Sequence, residues 1–225
     1  MSLIESVRPR SATVIPEPPI ARFLFADTRM AWFWLIVRLY VGYQFLTAGL
    51  EKVFGMDYTI GSTFNTAVQG GGWIFNRQVP LGTQMAGFAN GAIGKAAGEH
   101  AAVQGWYADF LKNVVVPNAG FWAFLISFGE LAVGVGLIVG LLTGIAAFFG
   151  LFMNLNFLLA GAISTNPILG VLGIFIVLAW RIAGYYGVDR WLLPLLGTPW
   201  TGQLAGKSDE EITHSTENPP IPAMS

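Results

Sequence analysis

The sequence predicts an all-α membrane protein, a bundle of four transmembrane helices with a long, partly helical extracytoplasmic connection between helices 1 and 2. Four segments are long and apolar enough to cross about 30 Å of hydrocarbon, which takes about 20 helical residues. Hydrophobic residues make up 54% of the 225-residue chain and charged residues only 11%, whereas a soluble domain carries about 25% charged residues. The mean hydropathy of +0.57 agrees with this fold class.

The first helix is expected from about Ala31 to Leu50, and Asp27 or Thr28 could cap its start. Residues 1–20 hold two arginines and four prolines but no apolar core of signal-peptide length, and a flexible N-terminal arm is expected over residues 1–29. Residues 198–225 are polar, acidic and rich in proline, which is typical of a disordered tail. The membrane domain is therefore assigned to residues 30–197.

Short turns link the other three helices. The second and third helices are expected over about Ala119–Leu142 and Ile145–Ile163, with Thr143 and Gly144 between them as the turn of an antiparallel hairpin. A single long helix is the alternative, but its apolar length is too great for one crossing. The fourth helix is expected over about Ile168–Gly187, and Pro167 suits its start.

Residues 52–118, called the connection below, separate the first two helices and are too many for a simple loop. Their first half is rich in glycine, and their second half predicts helices over about Thr83–Ala97 and Gln104–Val116. The second of these carries Trp106 and Phe110 at helical spacing, which favours a helix lying at the membrane interface.

Lysine and arginine positions indicate the orientation of the bundle. The two terminal segments hold six of these residues near the spans, and the connection holds four: Lys52, Arg77, Lys95 and Lys112. The excess predicts that both termini are cytoplasmic and that the connection is extracytoplasmic. Trp180, Tyr185, Tyr186 and Trp191 then form an aromatic belt at the cytoplasmic face, and Glu51 and Lys52 are interfacial anchors at the other.

Three charged residues fall inside the predicted spans, where a charge costs several kcal/mol and needs a structural or functional reason. They are Arg38 in the first helix, Glu130 in the second and Arg181 in the fourth. In a structural role, Glu130 pairs with one or both arginines and fixes how the helices dock. In a functional role, the three line a cavity that handles a proton, an anion or a quinone headgroup, and they are the candidate catalytic residues.

Asn154 and Asn156 lie mid-helix in the third span and are the candidates for contact with a bound cofactor. Because they are about 200° apart around the helix, they cannot face the same point. Interhelical hydrogen bonds are the structural alternative for both. Small residues on one face, namely Gly136, Gly140 and Gly144, together with Gly42 and Gly49 on the first helix, predict close helix packing.

The composition excludes several kinds of site. The chain has no cysteine, so it holds no disulfide, thiolate metal site or iron–sulfur cluster of its own. Both histidines, His100 and His214, fall outside the apolar segments, so no haem held by two membrane histidines is expected. No nucleotide-binding glycine loop for a flavin and no metal site are expected, and a net charge of -1 argues against a nucleic-acid partner.

Several runs of sequence resemble the DoxX/DoxD family of membrane proteins. The run from Arg38 to Lys52 is similar to that family's opening helix, and Gly129–Glu130 with the glycines after it resembles its second-helix signature. Three later runs fit the same group: Asn154–Gly161, Ser164–Pro167 and Ala183–Gly187. The resemblance covers about residues 30–197 and leaves out both terminal segments, while the glycine-rich part of the connection departs from it.

The resemblance implies a four-helix protein of the bacterial or archaeal cytoplasmic membrane. The best-known member of the DoxX/DoxD family is a subunit of thiosulfate:quinone oxidoreductase. That enzyme oxidises thiosulfate to tetrathionate and passes the electrons to membrane quinone. Quinone is the one cofactor expected, and the expected partners are lipid, a further subunit of a redox complex and further copies of this chain. The alternatives are a non-enzymatic accessory or assembly subunit of such a complex and, third, a small-molecule or proton transporter.

Overall fold

A computed structural model describes residues 18–61, 66–98 and 100–196. These described residues are mostly helical, at 71%, as the sequence predicts. Within the described residues, Thr28–Phe54 and Gly105–Val139 are long and apolar enough to cross a membrane, and Thr143–Leu159 and Asn166–Leu178 are apolar but shorter. The C-terminal tail predicted over residues 198–225 lies outside the described residues.

The elements follow one another in a simple order. Helix α1 spans Pro19–Ala26, and a 3-10 turn over Thr28–Met30 leads into α2, Ala31–Phe54. The connection holds a two-stranded antiparallel ribbon and two helices. Their bounds are β1 Met56–Asp57, β2 Thr66–Ala67, α3 Thr83–Gly94 and α4 Gly105–Phe110. The remaining helices are α5 Ala119–Val139, α6 Thr143–Leu159, α7 Asn166–Leu178, α8 Trp180–Ala183 and α9 Asp189–Leu195.

Helices α2 and α5 pack antiparallel at very short range because glycines line their contact. A Cβ added at Gly134 would lie 2.5 Å from the Leu46 nitrogen, and one added at Gly49 would lie 2.7 Å from the Leu131 nitrogen. Gly42 meets the Leu137 side chain in the same way, at 2.9 Å. The packing role predicted for Gly42 and Gly49 is therefore confirmed, and Gly134 is their counterpart on α5.

The hairpin of α5 and α6 is confirmed, but its turn comes earlier than predicted. Gly140 and Leu142 both adopt positive φ, at 72° and 47°, and Thr143 is already the first residue of α6. The predicted glycine face is wrong for this reason, since Gly140 ends α5 and Gly144 belongs to α6. The predicted fourth helix also divides: α7 starts at Asn166 with Pro167 in its first turn, and Ala179 separates it from α8.

The prediction of a flexible arm over residues 1–29 is wrong for its second half. Helix α1 packs on the bundle, where the Trp34 indole donates to the Leu24 carbonyl at 2.7 Å and the Phe25 ring stacks on Phe175. Asp27 accepts a hydrogen bond from the Arg29 nitrogen at 2.9 Å and so caps the 3-10 turn before α2, whereas Met30 is the N-cap of α2 itself. Residues 1–17 lie outside the described residues.

The connection folds onto one end of the bundle, called the connection end below. Helix α3 confirms the predicted Thr83–Ala97 helix to within a few residues, and α4 continues without a break into α5 through one π turn and one 3-10 turn. The separate interfacial helix predicted over Gln104–Val116 is therefore wrong. Trp106 faces outward, whereas Tyr107 and Leu111 are buried in a small core shared with α3 and the start of α5.

Candidate functional site

Lys52 and Glu130 form a buried ion pair where α2 and α5 cross at the connection end. The Lys52 ammonium donates to both carboxylate oxygens of Glu130, at 2.9 Å to Oε1 and 2.7 Å to Oε2. The Glu130 side chain is 2% exposed and that of Lys52 18%. A buried carboxylate needs such a partner, since an isolated charge in this position would be very costly.

The glycine contact between the two helices brings this pair together. Gly49 allows the backbone of α2 to approach the backbone at Glu130 and Leu131, and Lys52 lies one helical turn after Gly49. Two aromatic rings flank the ammonium, with the Trp73 ring centre 5.4 Å and the Phe157 ring centre 5.5 Å from Nζ. Cation–π attraction adds to the ion pair at these distances. The Lys52 charge is thus held by groups from three other segments: α5, the connection and α6.

The ion pair lies in a cavity of about 390 Å³, called the Lys52–Glu130 cavity below. Helices α2 and α5, the connection and the α6–α7 loop all contribute to its walls. Its polar lining residues are Gln44, Thr47, Glu51, Lys52, Thr59, Glu130, Ser164, Thr165 and Asn166, and its aromatic lining residues are Phe45, Trp73, Phe88 and Phe157. The cavity therefore combines a proton-carrying group, hydrogen-bonding side chains and aromatic rings.

Arg38 does not reach this cavity. It lies at the opposite end of the contact between α2 and α5, where its Nη2 donates to the Tyr186 carbonyl at 3.1 Å and its Nη1 lies against Gly140 and Gly187. Gly140 is ten residues after Glu130, which is about 15 Å along the helix. The predicted pairing of Glu130 with Arg38 is therefore wrong, because the helices pack in a register that places the two groups at different depths.

The neighbours of Arg38 form a second polar group. Asp189 is fully buried, and its two carboxylate oxygens accept from the Leu142 and Thr143 nitrogens at 2.6 Å and 2.7 Å. These bonds satisfy backbone donors at the start of α6, where a negative charge is favourable. Asp189 thereby connects α9 to the α5–α6 turn. The polar group around Arg38 and Asp189 therefore has a structural role.

Arg181 lies apart from both groups. Its side chain is exposed on α8, with its guanidinium carbon 5.8 Å from the centre of the Trp180 ring. The predicted pairing of Glu130 with Arg181 is wrong as well, since both carboxylate oxygens of Glu130 are bound to Lys52.

The two asparagines face different neighbours, as predicted. Buried Asn154 donates to the Asn166 side chain at 3.1 Å and so links α6 to the start of α7. Asn156 accepts from the Tyr107 hydroxyl, at 3.0 Å to its carbonyl oxygen and 3.2 Å to Oδ1, which links α6 to α4. Both make the interhelical bonds that the structural alternative expects. It is Asn166, rather than Asn154 or Asn156, that lines the Lys52–Glu130 cavity.

Sequence reasoning missed the role of Lys52 and of its aromatic neighbours. Lys52 was expected to anchor the end of the first helix at the interface, and the interface prediction does not account for its ion pair with Glu130. The glycines themselves, Gly42 and Gly49 on α2 and Gly134 on α5, were the signal that could have found it. Their antiparallel contacts set a register that aligns the end of α2 with the middle of α5.

Among the described residues, no group of three or more histidine and acidic side chains is arranged to hold a metal ion. No protein-family model, curated protein or solved structure matches the chain. The resemblance to DoxX/DoxD proteins therefore stays a prediction, and the functional argument depends on the Lys52–Glu130 cavity.

Proposed function

We propose that this chain is a DoxX-like integral membrane protein that binds quinone in the Lys52–Glu130 cavity and serves a quinone-linked redox complex. The observation that carries the proposal is the buried ion pair in a cavity with both polar and aromatic walls. Such a cavity, with a few convergent polar groups, is the usual form of a small-molecule site.

The lengths and surfaces of the helices support four membrane crossings. Helix α2 and the α4–α5 helix are long enough alone, and α6 with 17 residues spans about 26 Å. Helices α7 and α8 run in succession and together supply the fourth crossing. Large hydrophobic side chains on these helices face outward, among them Phe121, Phe124, Phe148 and Phe152. In this proposal the termini are cytoplasmic, and the connection lies outside the plasma membrane of a bacterium or archaeon.

The cavity chemistry suits a quinone headgroup. A quinone ring is planar and neutral, and its two carbonyl oxygens accept hydrogen bonds. Lys52 and Asn166 carry donors in the cavity, and the Trp73 and Phe157 rings can pack against a planar ring. Quinone supplies the electron-accepting chemistry when bound. Glu130, held by Lys52, is the group of this chain that would take up or release a proton at the headgroup.

The resemblance implies thiosulfate as the electron donor of the complex. Two thiosulfate ions joined as tetrathionate release two electrons, and quinone takes these with two protons to become quinol. Because the chain has no cysteine, this sulfur chemistry is assigned to a partner subunit. The chain presented here then provides the quinone site and the membrane anchor.

Quinone binding can be measured on the full chain in mild detergent. We expect quinone to copurify in stoichiometric amount by mass spectrometry. A short-chain quinone analogue should quench tryptophan fluorescence saturably, and Glu130→Gln should weaken its binding at least 10-fold. Asp109→Asn changes an exposed carboxylate on α4 and should leave binding unchanged. Failure of the unaltered protein to bind any quinone would overturn the proposal.

One observation favours the accessory role as a second candidate function. Lys52 neutralises Glu130 and bridges α2 to α5, which is what a purely structural pair would do. In that case Glu130→Gln lowers stability, and the activity of the redox complex falls in proportion to the folded fraction. A quinone site predicts a folded Glu130→Gln variant whose activity, or the pH dependence of that activity, changes selectively.

A further inference from the structure

We infer that the Lys52–Glu130 cavity is a blind vestibule that admits neutral and cationic ligands from the connection end and repels anions. The inference rests on the proposed function for the membrane embedding and for the neutral ligand. It adds the side of entry and the charge class, and it assigns the thiosulfate dianion to a site other than this cavity.

The lining residues place the entrance at the connection end. Thr59, Trp73 and Phe88 belong to the connection, and Ala162, Ser164 and Thr165 belong to the α6–α7 loop at the same end. The lining residues of α2 come from its second half, between Gln44 and Lys52. All the loops that border the cavity are therefore on one side of the bundle.

Beyond Glu130, the contact between α2 and α5 leaves no space for a path. A Cβ added at Gly134 would lie 2.5 Å from the Leu46 backbone nitrogen, and one added at Gly42 would lie 2.9 Å from the Leu137 side chain. Water needs open space and polar partners, whereas the glycine contacts place backbone directly against backbone here.

Between the cavity and the opposite end of the bundle, the hydrophobic core is also closely packed. Val41, Leu137 and Ile176 are each at most 2% exposed, and they pack in one apolar cluster with Phe45 at the cavity floor. Past that cluster, the Arg38 guanidinium is packed against Gly140 and Gly187. The cavity therefore ends inside the bundle and is not one half of a channel.

The charges of the lining decide which ligands enter. Glu51, Lys52 and Glu130 are the charged lining residues, so two carboxylates against one ammonium leave a formal net charge of -1. Two of the three ammonium hydrogens of Lys52 are bound to the Glu130 oxygens, so the positive charge is already neutralised toward an incoming anion while one donor stays open to a neutral ligand. A cleft of one net sign concentrates ions of the opposite sign and repels its own. Neither Arg38 nor Arg181, the two arginines predicted beside Glu130, is among the lining residues.

The absence of cysteine makes a direct test possible, since any introduced cysteine is the only thiol. We would place Thr47→Cys and Thr165→Cys in the cavity and Val41→Cys in the packed apolar core beyond its floor. Exposed positions serve as side controls, with Gln78→Cys in the connection and Tyr186→Cys at the opposite end. Sealed vesicles of the full-length variants are treated from each side with membrane-impermeant cationic and anionic methanethiosulfonates.

Both cavity cysteines should be labelled from the same side as Gln78→Cys, and Val41→Cys should react from neither side. The ratio of cationic to anionic labelling rates should be at least 10-fold higher at Thr47→Cys than at Gln78→Cys. Adding Glu51→Gln should bring that ratio down several-fold. Labelling of Thr47→Cys from the Tyr186 side, or faster labelling by the anionic reagent, would overturn the inference.

The labelling pattern does not depend on quinone, so the two proposals can fail separately. Protection of Thr47→Cys by a bound quinone analogue is the matching test of the proposed function. One-sided, cation-selective labelling without protection would keep the vestibule and reject the quinone. Protection by the quinone analogue together with labelling from both sides would support the quinone site and reject the blind vestibule.

Discussion

The Lys52 ammonium on α2 lies 2.9 Å and 2.7 Å from the two carboxylate oxygens of Glu130 on α5. These residues are 78 positions apart in the sequence, and the rest of the connection lies between them. Their pairing ties the end of the first long helix to the middle of the second and forms one wall of a cavity. Five predictions follow from this pair and from the contacts that hold the bundle around it.

Breaking the ion pair from one side should cost more than removing it completely. Lys52→Met leaves the Glu130 carboxylate buried without a partner, so we expect a loss of about 3–5 kcal/mol in the free energy of unfolding in detergent. Lys52→Met combined with Glu130→Gln should recover most of that loss. Lys112→Met removes an exposed ammonium and serves as the control. A double variant as unstable as Lys52→Met would contradict a buried, mutually neutralised pair.

Gly134 should be intolerant of even one added methyl group. Its Cβ would lie 2.5 Å from the Leu46 backbone nitrogen, so Gly134→Ala must push α2 and α5 apart, and overpacking of this kind costs about 1–3 kcal/mol. Gly87→Ala in α3 is the matched control, because nothing lies within 4 Å of its added Cβ. There alanine should stabilise the helix by up to about 1 kcal/mol. Thermal unfolding of both variants measures the difference, and equal stabilities would refute the close approach.

Asp189 should matter through its hydrogen bonds to the start of α6. Asp189→Asn replaces one acceptor by an amide donor that faces a backbone N–H, so one buried donor loses its partner, at a cost of about 1–3 kcal/mol. Asp109→Asn makes the same change on an exposed side chain and should be neutral within about 0.5 kcal/mol. Denaturant unfolding compares the two, and a stable Asp189→Asn would show that the carboxylate is not required at the α5–α6 turn.

The Tyr107 hydroxyl should hold the connection against α6. Tyr107→Phe removes its hydrogen bonds to Asn156 and should cost about 1 kcal/mol. Faster amide hydrogen exchange is expected in α3 and α4 but not in α7. Tyr40→Phe, at an exposed position of α2, should leave exchange unchanged. Uniformly faster exchange throughout the bundle would indicate a general rather than a local contact.

Asp27 should give the start of α2 an acid dependence. Hydrogen bonds from Arg29 hold the pKa of Asp27 at about 2, below its ordinary value of 3.8. A carboxylate whose pKa is lower in the folded state stabilises the fold above the unfolded pKa and loses that contribution as pH falls through the folded pKa. The difference in melting temperature between the unaltered protein and Asp27→Asn should therefore be constant above about pH 5, shrink as the pH falls, and vanish only below about pH 2. The effect is small because the pair is exposed to solvent, and a constant difference across this range would contradict it.

Long apolar runs and local turn residues made the helices predictable. The starts of α2 at Ala31 and of α7 near Pro167 depend on nearby sequence, so both were predicted to within a few residues. The turn between α5 and α6 was misplaced because Leu142 takes a positive φ, which an apolar branched residue rarely does. Asp189, 46 residues further on, supplies the hydrogen bond that stabilises Thr143 there.

By itself, the sequence determined the helical class, the long apolar segments and the presence of charges that need partners. Composition and periodicity carry that information because burial and helix formation act on nearby residues. Only the tertiary structure decided that Glu130 meets Lys52 rather than Arg38 or Arg181. That choice depends on the register of α2 against α5, and the register is set by where glycine lets two backbones touch. This register depends on contacts between residues that are far apart in the chain, so no local sequence pattern predicts it.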